Sequence, residues 1–385
     1  MDLKAHAYQA ESAWLATLEA LVRLESPTEV KSACDRLADH LVARLETDGW
    51  EVTRTPRDDV GDILTARWGH DLAGAAGGTL LLCHYDTVWP LGTLERMPFR
   101  REGNQVYGPG ACDMKAGIAT ALHAKQLAEQ RVDQHGATLR GPVTLLLTSD
   151  EESGSLHSRD LIETEARRHD RVLVLEPSRD DGALKVGRKG VGEFRVEFMG
   201  RSAHAGNNPR DGASALREMA HFLFFAENLT DYDRQTTVNV TVAAGGTVSN
   251  VIAEEAKARI DVRVLAIDEG ERVETAIRRY VPEDERVTVL VQGGLNRPPL
   301  ERTPDNEALT HEATERMREL GMSLETAVVG GGSDGNFTSA LGVATLDGLG
   351  SSGSGPHARH EHIRVRETLE RLSLVTALML EGDVA

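Results

Sequence analysis

Apolar residues recur along this chain with two periods, and the changes of period mark its elements. Ala13, Leu15, Leu18, Leu21, Val22 and Leu24 fall on one helical face, and Ala33, Leu37, Leu41, Val42 and Leu45 fall on another that Asp48-Gly49 stops. Both patterns predict packing helices. Strand-like segments follow at 50–55 and 63–68, then apolar runs at 79–83, 143–147 and 171–175 that predict buried strands. Helical stretches at about 118–127 and 156–168 separate these runs. Strands are next expected at 191–199, 236–242, 258–265 and 287–291, with helices at 213–228 and 269–280. That β-α-β-β-α-β order is the ferredoxin-like split, and glycines at 187, 190, 293 and 294 predict an insertion on two hinges. The chain then returns to a helix at 305–320, a glycine loop at 330–335, a strand at 343–347 and a helix at 366–380. The expected fold is α/β, a central mixed sheet flanked by helices with an inserted ferredoxin-like α+β domain. Its parts are 1–187, 188–296 and 297–385.

Candidate chemistry gathers where the apolar runs end. The first leads into His84-x-Asp86, the second into Glu151-Glu152 and the third into Glu176. On an extended segment His-x-Asp points both side chains the same way, so the acid can orient a metal-binding imidazole. Adjacent glutamates diverge at a strand end, so one carboxylate can bind metal while the other moves protons. Each motif alone is more often a satisfied turn or a solvated acidic face. Together, carboxylates converging without basic partners call for cations. The glycine-rich turn Tyr107 to Gly117 presents Asp113, and its spacing matches neither common phosphate-binding pattern.

Composition narrows the partners. With 385 residues, 40% hydrophobic and 27% charged, the chain is an ordinary globular sequence long enough for two domains. A net charge of −18 argues against nucleic acid or an anionic membrane as partner. No signal-peptide pattern or run of ~20 apolar residues occurs, and three widely spaced cysteines fit a reducing compartment. A cytoplasmic location is expected.

His84-x-Asp86-Thr87-Val88, Gly110-x-x-Asp113-x-Lys115-x-Gly117, Glu151-Glu152-x-Gly154-Ser155, Glu176-Pro177, Ser202-Ala203-His204-Ala205-Gly206, Val248-Ser249-Asn250, Gly331-Gly332-Ser333-Asp334 and His357-x-x-x-Glu361 follow one another along the chain. In this order they resemble the dinuclear-zinc peptidase family of glutamate carboxypeptidase, aminoacylase, acetylornithine deacetylase and succinyl-diaminopimelate desuccinylase. The likeness covers nearly the whole chain and is greatest to the glutamate carboxypeptidase branch.

The resemblance implies a zinc-exopeptidase-like fold in which Asp113 bridges two zinc ions, with cobalt or manganese as substitutes. Glu152 and His357 share one ion, and His84 and Glu176 the other. His357 is preferred over His360 and His362 because it has Glu361 four residues on. Asp86 orients His84, Glu151 is the general base for a metal-activated water, and the Asp113-Met114 peptide is cis. The inserted domain becomes a lid and dimerisation domain, from which His204 reaches across a homodimer to the tetrahedral oxyanion. Asn250 and Arg263 match positions that bind the substrate's backbone or carboxylate. Arg297 is a further carboxylate candidate, and Gly331 and Gly332 offer backbone amides.

The implied reaction is amide hydrolysis releasing a C-terminal amino acid, a glutamate-like residue being one candidate, from a small peptide or N-acyl conjugate. An aminoacylase or N-acetyl-amino-acid deacetylase on the same scaffold is the rival reading. A non-catalytic metal-binding scaffold is a remote third, disfavoured because it has no use for an unligated base at Glu151.

Overall fold

In the computed structural model, which describes residues 3–69 and 77–382, the apolar runs form the middle of an eight-stranded sheet. Its strands lie in the order Glu51–Thr55, Ile63–Trp68, Val143–Thr148, Thr79–His84, Arg171–Val174, Ala344–Asp347, Leu184–Arg188 and Thr326–Val329. The third to the sixth of these run parallel. The first two are antiparallel additions at one side, so the sheet is mixed, as the sequence predicts.

Every residue of Thr79–His84 and Val143–Thr148 is buried, which explains why these strands read as unbroken apolar runs. Alternate side chains serve different cores. Leu81, Cys83, Leu145 and Leu147 pack with the helices Ala116–His135 and Val365–Met379, whereas Leu80, Leu82 and Leu146 pack with Ile162, Ala166 and Phe337. Each buried leucine of this kind contributes roughly 1.5–3 kcal/mol relative to exposure.

Parallel register then does the functional work. His84 lies opposite Thr148 and Leu82 opposite Val174, so His84, the Glu151-Glu152 turn and Glu176 leave the sheet at one edge. Close packing fixes that edge. A Cβ on Gly117 would lie 2.1 Å from the Leu175 carbonyl oxygen, and one on Gly350 only 1.8 Å from it. Only glycine lets both segments approach.

A second, four-stranded sheet joins Gly353–Ser354, His362–Arg364, Gln105–Tyr107 and Arg100–Glu102. Pairing of His362 with Tyr107 brings the loop at 355–361 to the turn that holds Asp113. The sequence does not predict these strands, because two or three residues carry no period.

The chain divides into two compact units, Met1–Val186 with Arg302–Val328 and Ser333–Ala385, and Gly187–Glu301 with Val329–Gly332. In the second, strands Thr237–Gly245, Glu255–Val264, Gly190–Met199 and Thr288–Arg297 lie side by side in that order, each antiparallel to its neighbour. Helices Ala215–Glu227 and Ile267–Arg278 complete the ferredoxin-like pattern. Strand Gly190–Met199 alternates buried and more open positions, the mark of a sheet with one covered face.

Two expectations shift. The helix expected at 156–168 spans Arg159–Ala166, because Asp150 accepts the His157 N–H and the Ser158 hydroxyl and holds the preceding residues in a turn. Gly293 and Gly294, expected at a joint, lie inside the strand Thr288–Arg297, where a Cβ on Gly293 would meet the Glu193 carbonyl oxygen at 2.1 Å. Cys34, Cys83 and Cys112 are free and buried. Among the described residues no helix is long and apolar enough to cross a membrane.

Candidate metal centre

Five side chains, each from a different segment of the chain, meet at the sheet edge. His84 Nε2 lies 3.2 Å from Asp113 Oδ1 and 3.3 Å from Glu176 Oε1. His357 Nε2 lies 3.3 Å from Asp113 Oδ2 and 3.1 Å from Glu152 Oε2. Asp113 therefore turns one oxygen to each imidazole, and each imidazole has a glutamate of its own. The Asp113-Met114 peptide is cis. His362 instead stacks on Tyr107 at 5.2 Å between ring centroids.

The donor set fits divalent cations by its chemistry and its spacing. Zinc bonds to nitrogen and oxygen ligands are about 2.0–2.1 Å, which sets the edges of a tetrahedron at about 3.3 Å. The N···O separations above are of that size. Glu152 also keeps a buried carboxylate oxygen, Oε1, without a hydrogen-bond partner. Such an atom is costly unless a cation faces it. Donor atoms of His84, Asp113 and Glu152 lie within 4.8 Å of one another, as do those of His84, Glu151 and Glu176. Glu151 thus stands beside the His84 and Glu176 position.

Burial opposes the His84 imidazolium, yet hydrogen bonds to Asp113, Asp86 and Glu176 outweigh it and hold the group well above its ordinary value. Asp113 and Glu152 push His357 up to about 10. Burial raises Glu152 to about 7 against the pull of His357.

Supporting residues orient this centre. His84 Nδ1 lies 3.0 Å from the Asp86 carbonyl oxygen and 3.4 Å from Asp86 Oδ1, which turns Nε2 to the cluster. Asp86 accepts the backbone N–H of both Glu151 and Glu152 at 3.3 Å, and the Thr28 hydroxyl at 2.7 Å. Asp334 accepts the Thr148 hydroxyl at 3.2 Å and the Ser155 hydroxyl, bracing the strand end and the turn after it. Glu361 accepts N–H groups from the turn carrying Asp113. Asp334 and Glu361 stand in sequence motifs, but their roles are not legible there because a buried carboxylate's partners come from distant segments.

In the second unit, His204 Nδ1 accepts the N–H groups of Gly206 at 3.1 Å and Asn207 at 3.0 Å. The neutral ring then carries its proton on Nε2. The Asn250 carbonyl accepts the N–H of Ala205, which sets these two candidates side by side. Arg263 is paired with Asp261 on its own strand at 2.9 Å. Gly331 and Gly332 direct their carbonyls to Arg188 at 3.2 and 3.1 Å, and a Cβ on Gly332 would lie 3.0 Å from Arg297 Cδ. Arg188 is a buried cation that no motif in the sequence marks.

Comparison with known proteins places this site in a family. Residues 80–381 match the family described as Peptidase family M20/M25/M40, and the chain belongs to it. It is a hydrolytic enzyme of a metal-dependent family. Among its relatives, carboxypeptidase G2 of Pseudomonas sp. (strain RS-16) is 32% identical over 96% of this chain and 89% of that one. Succinyl-diaminopimelate desuccinylase of Paraburkholderia xenovorans is 29% identical over 97% of this chain and 100% of its own length. The crystal structure of aminopeptidase PepT from Bacillus cereus superposes with a TM-score of 0.80 at 21% identity, covering 96% of this chain and 98% of that one. That likeness supports the fold.

Proposed function

We propose that this chain is a dinuclear metal-dependent amidohydrolase that releases a C-terminal amino acid from a small peptide or N-acyl conjugate. One observation carries the reading: Asp113 offers separate oxygens to two imidazole and glutamate pairs. His84, Glu176 and Asp113 would hold one zinc, and His357, Glu152 and Asp113 the other. Bound cations of this kind supply Lewis acidity toward a carbonyl and lower the pKa of water.

The chain's own residues supply the rest. Glu151 takes the attacking water's proton on its carboxylate and hands it to the leaving amine. Asp86 keeps the turn carrying Glu151 in register with His84. His204 offers Nε2–H to a developing oxyanion, and Asn250, Arg263 and Arg297 bind the substrate's polar groups. Arg263 does so in competition with Asp261. Gly331 and Gly332 would offer backbone amides to the substrate, their carbonyls being taken by Arg188.

The carboxypeptidase reading draws on similarity to carboxypeptidase G2. A deacylase reading is favoured by full-length similarity to a succinyl-diaminopimelate desuccinylase, and the two differ in which side of the amide is recognised. A homodimer is proposed through the second unit. Strand Thr237–Gly245 is an open sheet edge with mostly exposed side chains, and Phe224 on the neighbouring helix is 76% exposed. The test is a panel of peptides and N-acyl amino acids run on zinc-loaded and cobalt-loaded protein, with Glu151→Gln as control. Release of C-terminal residues from acylated and peptide substrates supports the first reading. Turnover restricted to short N-acyl groups supports the second, and no turnover on any substrate rejects both.

A further inference from the structure

We infer that Glu361 is a positioning residue that sets the placement of Asp113 and His357 for metal binding. The inference rests on the metal-centre reading proposed above. Glu361 is 0% exposed, and its carboxylate accepts four N–H groups. Oε2 takes the Trp89 indole N–H at 2.7 Å and the Gly110 N–H at 2.9 Å. Oε1 takes the Cys112 N–H at 2.8 Å and the Asp113 N–H at 3.1 Å. The buried Lys115 ammonium adds a Coulombic attraction to these dipoles.

What the four donors connect gives the residue its role. Trp89 follows the segment that carries His84 and Asp86, and the three amides belong to the turn that presents Asp113. Glu361 itself stands four residues after His357, with its own N–H bonded to the Ala358 carbonyl at 2.8 Å. Three ligand-bearing segments thus converge on one carboxylate. His84 is held independently by a fully buried strand, whereas Asp113 and His357 sit on irregular backbone that Glu361 ties together. The position shared by Glu152, His357 and Asp113 depends on Glu361 more than the position shared by His84, Glu176 and Asp113.

Gln has nearly the same shape but offers one acceptor oxygen and an NH2 group, so two of the four N–H donors would face another donor. A partner one step behind metal ligands typically costs 10–100-fold in metal affinity when altered. Metal-free wild type and Glu361→Gln are titrated with zinc against a chromogenic chelator and by calorimetry, with circular dichroism and thermal melts as folding controls. Expected is a weaker second zinc constant, by about 10–100-fold, with a smaller change in the first. Equal constants in folded Glu361→Gln, whatever its melting temperature, overturn the inference and leave Glu361 a structural residue. Should that variant not fold, Trp89→Phe, which removes one donor and keeps the carboxylate, carries the test. A smaller loss in the second constant is expected there, and an unchanged constant overturns the inference. Wild type that binds no zinc rejects the metal-centre reading itself.

Discussion

Asp86 accepts the backbone N–H of Glu151 on Oδ1 at 3.3 Å, and the same oxygen lies 3.4 Å from Nδ1 of His84. One carboxylate thus sets both an imidazole and the turn that carries the proposed base. In Asp86→Asn the amide nitrogen would face an N–H donor on one side, loosening that turn. The expected result is a fall in kcat/KM of about 10–100-fold with metal content retained. Steady-state kinetics and metal analysis of the same preparation check it, and unchanged kinetics would remove Asp86 from the machinery.

Glu151→Gln separates proton transfer from metal binding. If Glu151 moves the proton, kcat drops by about 100- to 10,000-fold while both zinc constants stay within a few-fold. Loss of a zinc equivalent in this variant would instead make Glu151 a ligand, as its place beside His84 and Glu176 permits.

Metal uptake is expected to release protons. Asp113 and Glu152 raise His357 to about 10, and hydrogen bonds to carboxylates raise His84 above its ordinary value, so both imidazoles favour their protonated forms when no cation competes. A cation must displace those protons, so apparent affinity rises with pH across the neutral range. Calorimetric titration with zinc in buffers of different ionisation enthalpy measures the release. Heats that do not vary with buffer would contradict it.

Far from the centre, burial, with Arg44 adding to it, pushes His123 down to about 4 from 6.5. The unfolded chain binds that proton first as pH falls. The stability this group contributes is therefore present above pH 6.5 and is lost toward pH 4, an effect of order 3 kcal/mol. Denaturant titrations across that window should show the slope in wild type and a shallower one in His123→Gln. Parallel slopes would count against it.

Phe224→Glu tests the proposed dimer. A charge on this exposed ring position should shift sedimentation from dimer toward monomer while leaving the fold, read by circular dichroism, intact. An unaltered dimer would move the interface elsewhere.

Much of this architecture was written in local patterns. The buried strands, the ferredoxin-like order of the second unit and the acids closing each apolar run follow from periods and turn residues within a few positions of one another. The ligand candidates His84, Asp113, Glu152, Glu176 and His357 were legible because their motifs occur in a characteristic order. Tertiary structure decided the rest. The three-residue strands at 105–107 and 362–364 exist only because they find each other across the chain, and their pairing carries His357 to Asp113. The partners of Asp86, Asp334 and Glu361 are likewise backbone amides and hydroxyls from remote segments, and no sequence pattern marks a group that every residue possesses. Parallel register, a property of whole strands, placed His84 and the two glutamates at one edge. Side-chain type determined which groups could bind metal, and long-range packing determined which of them meet.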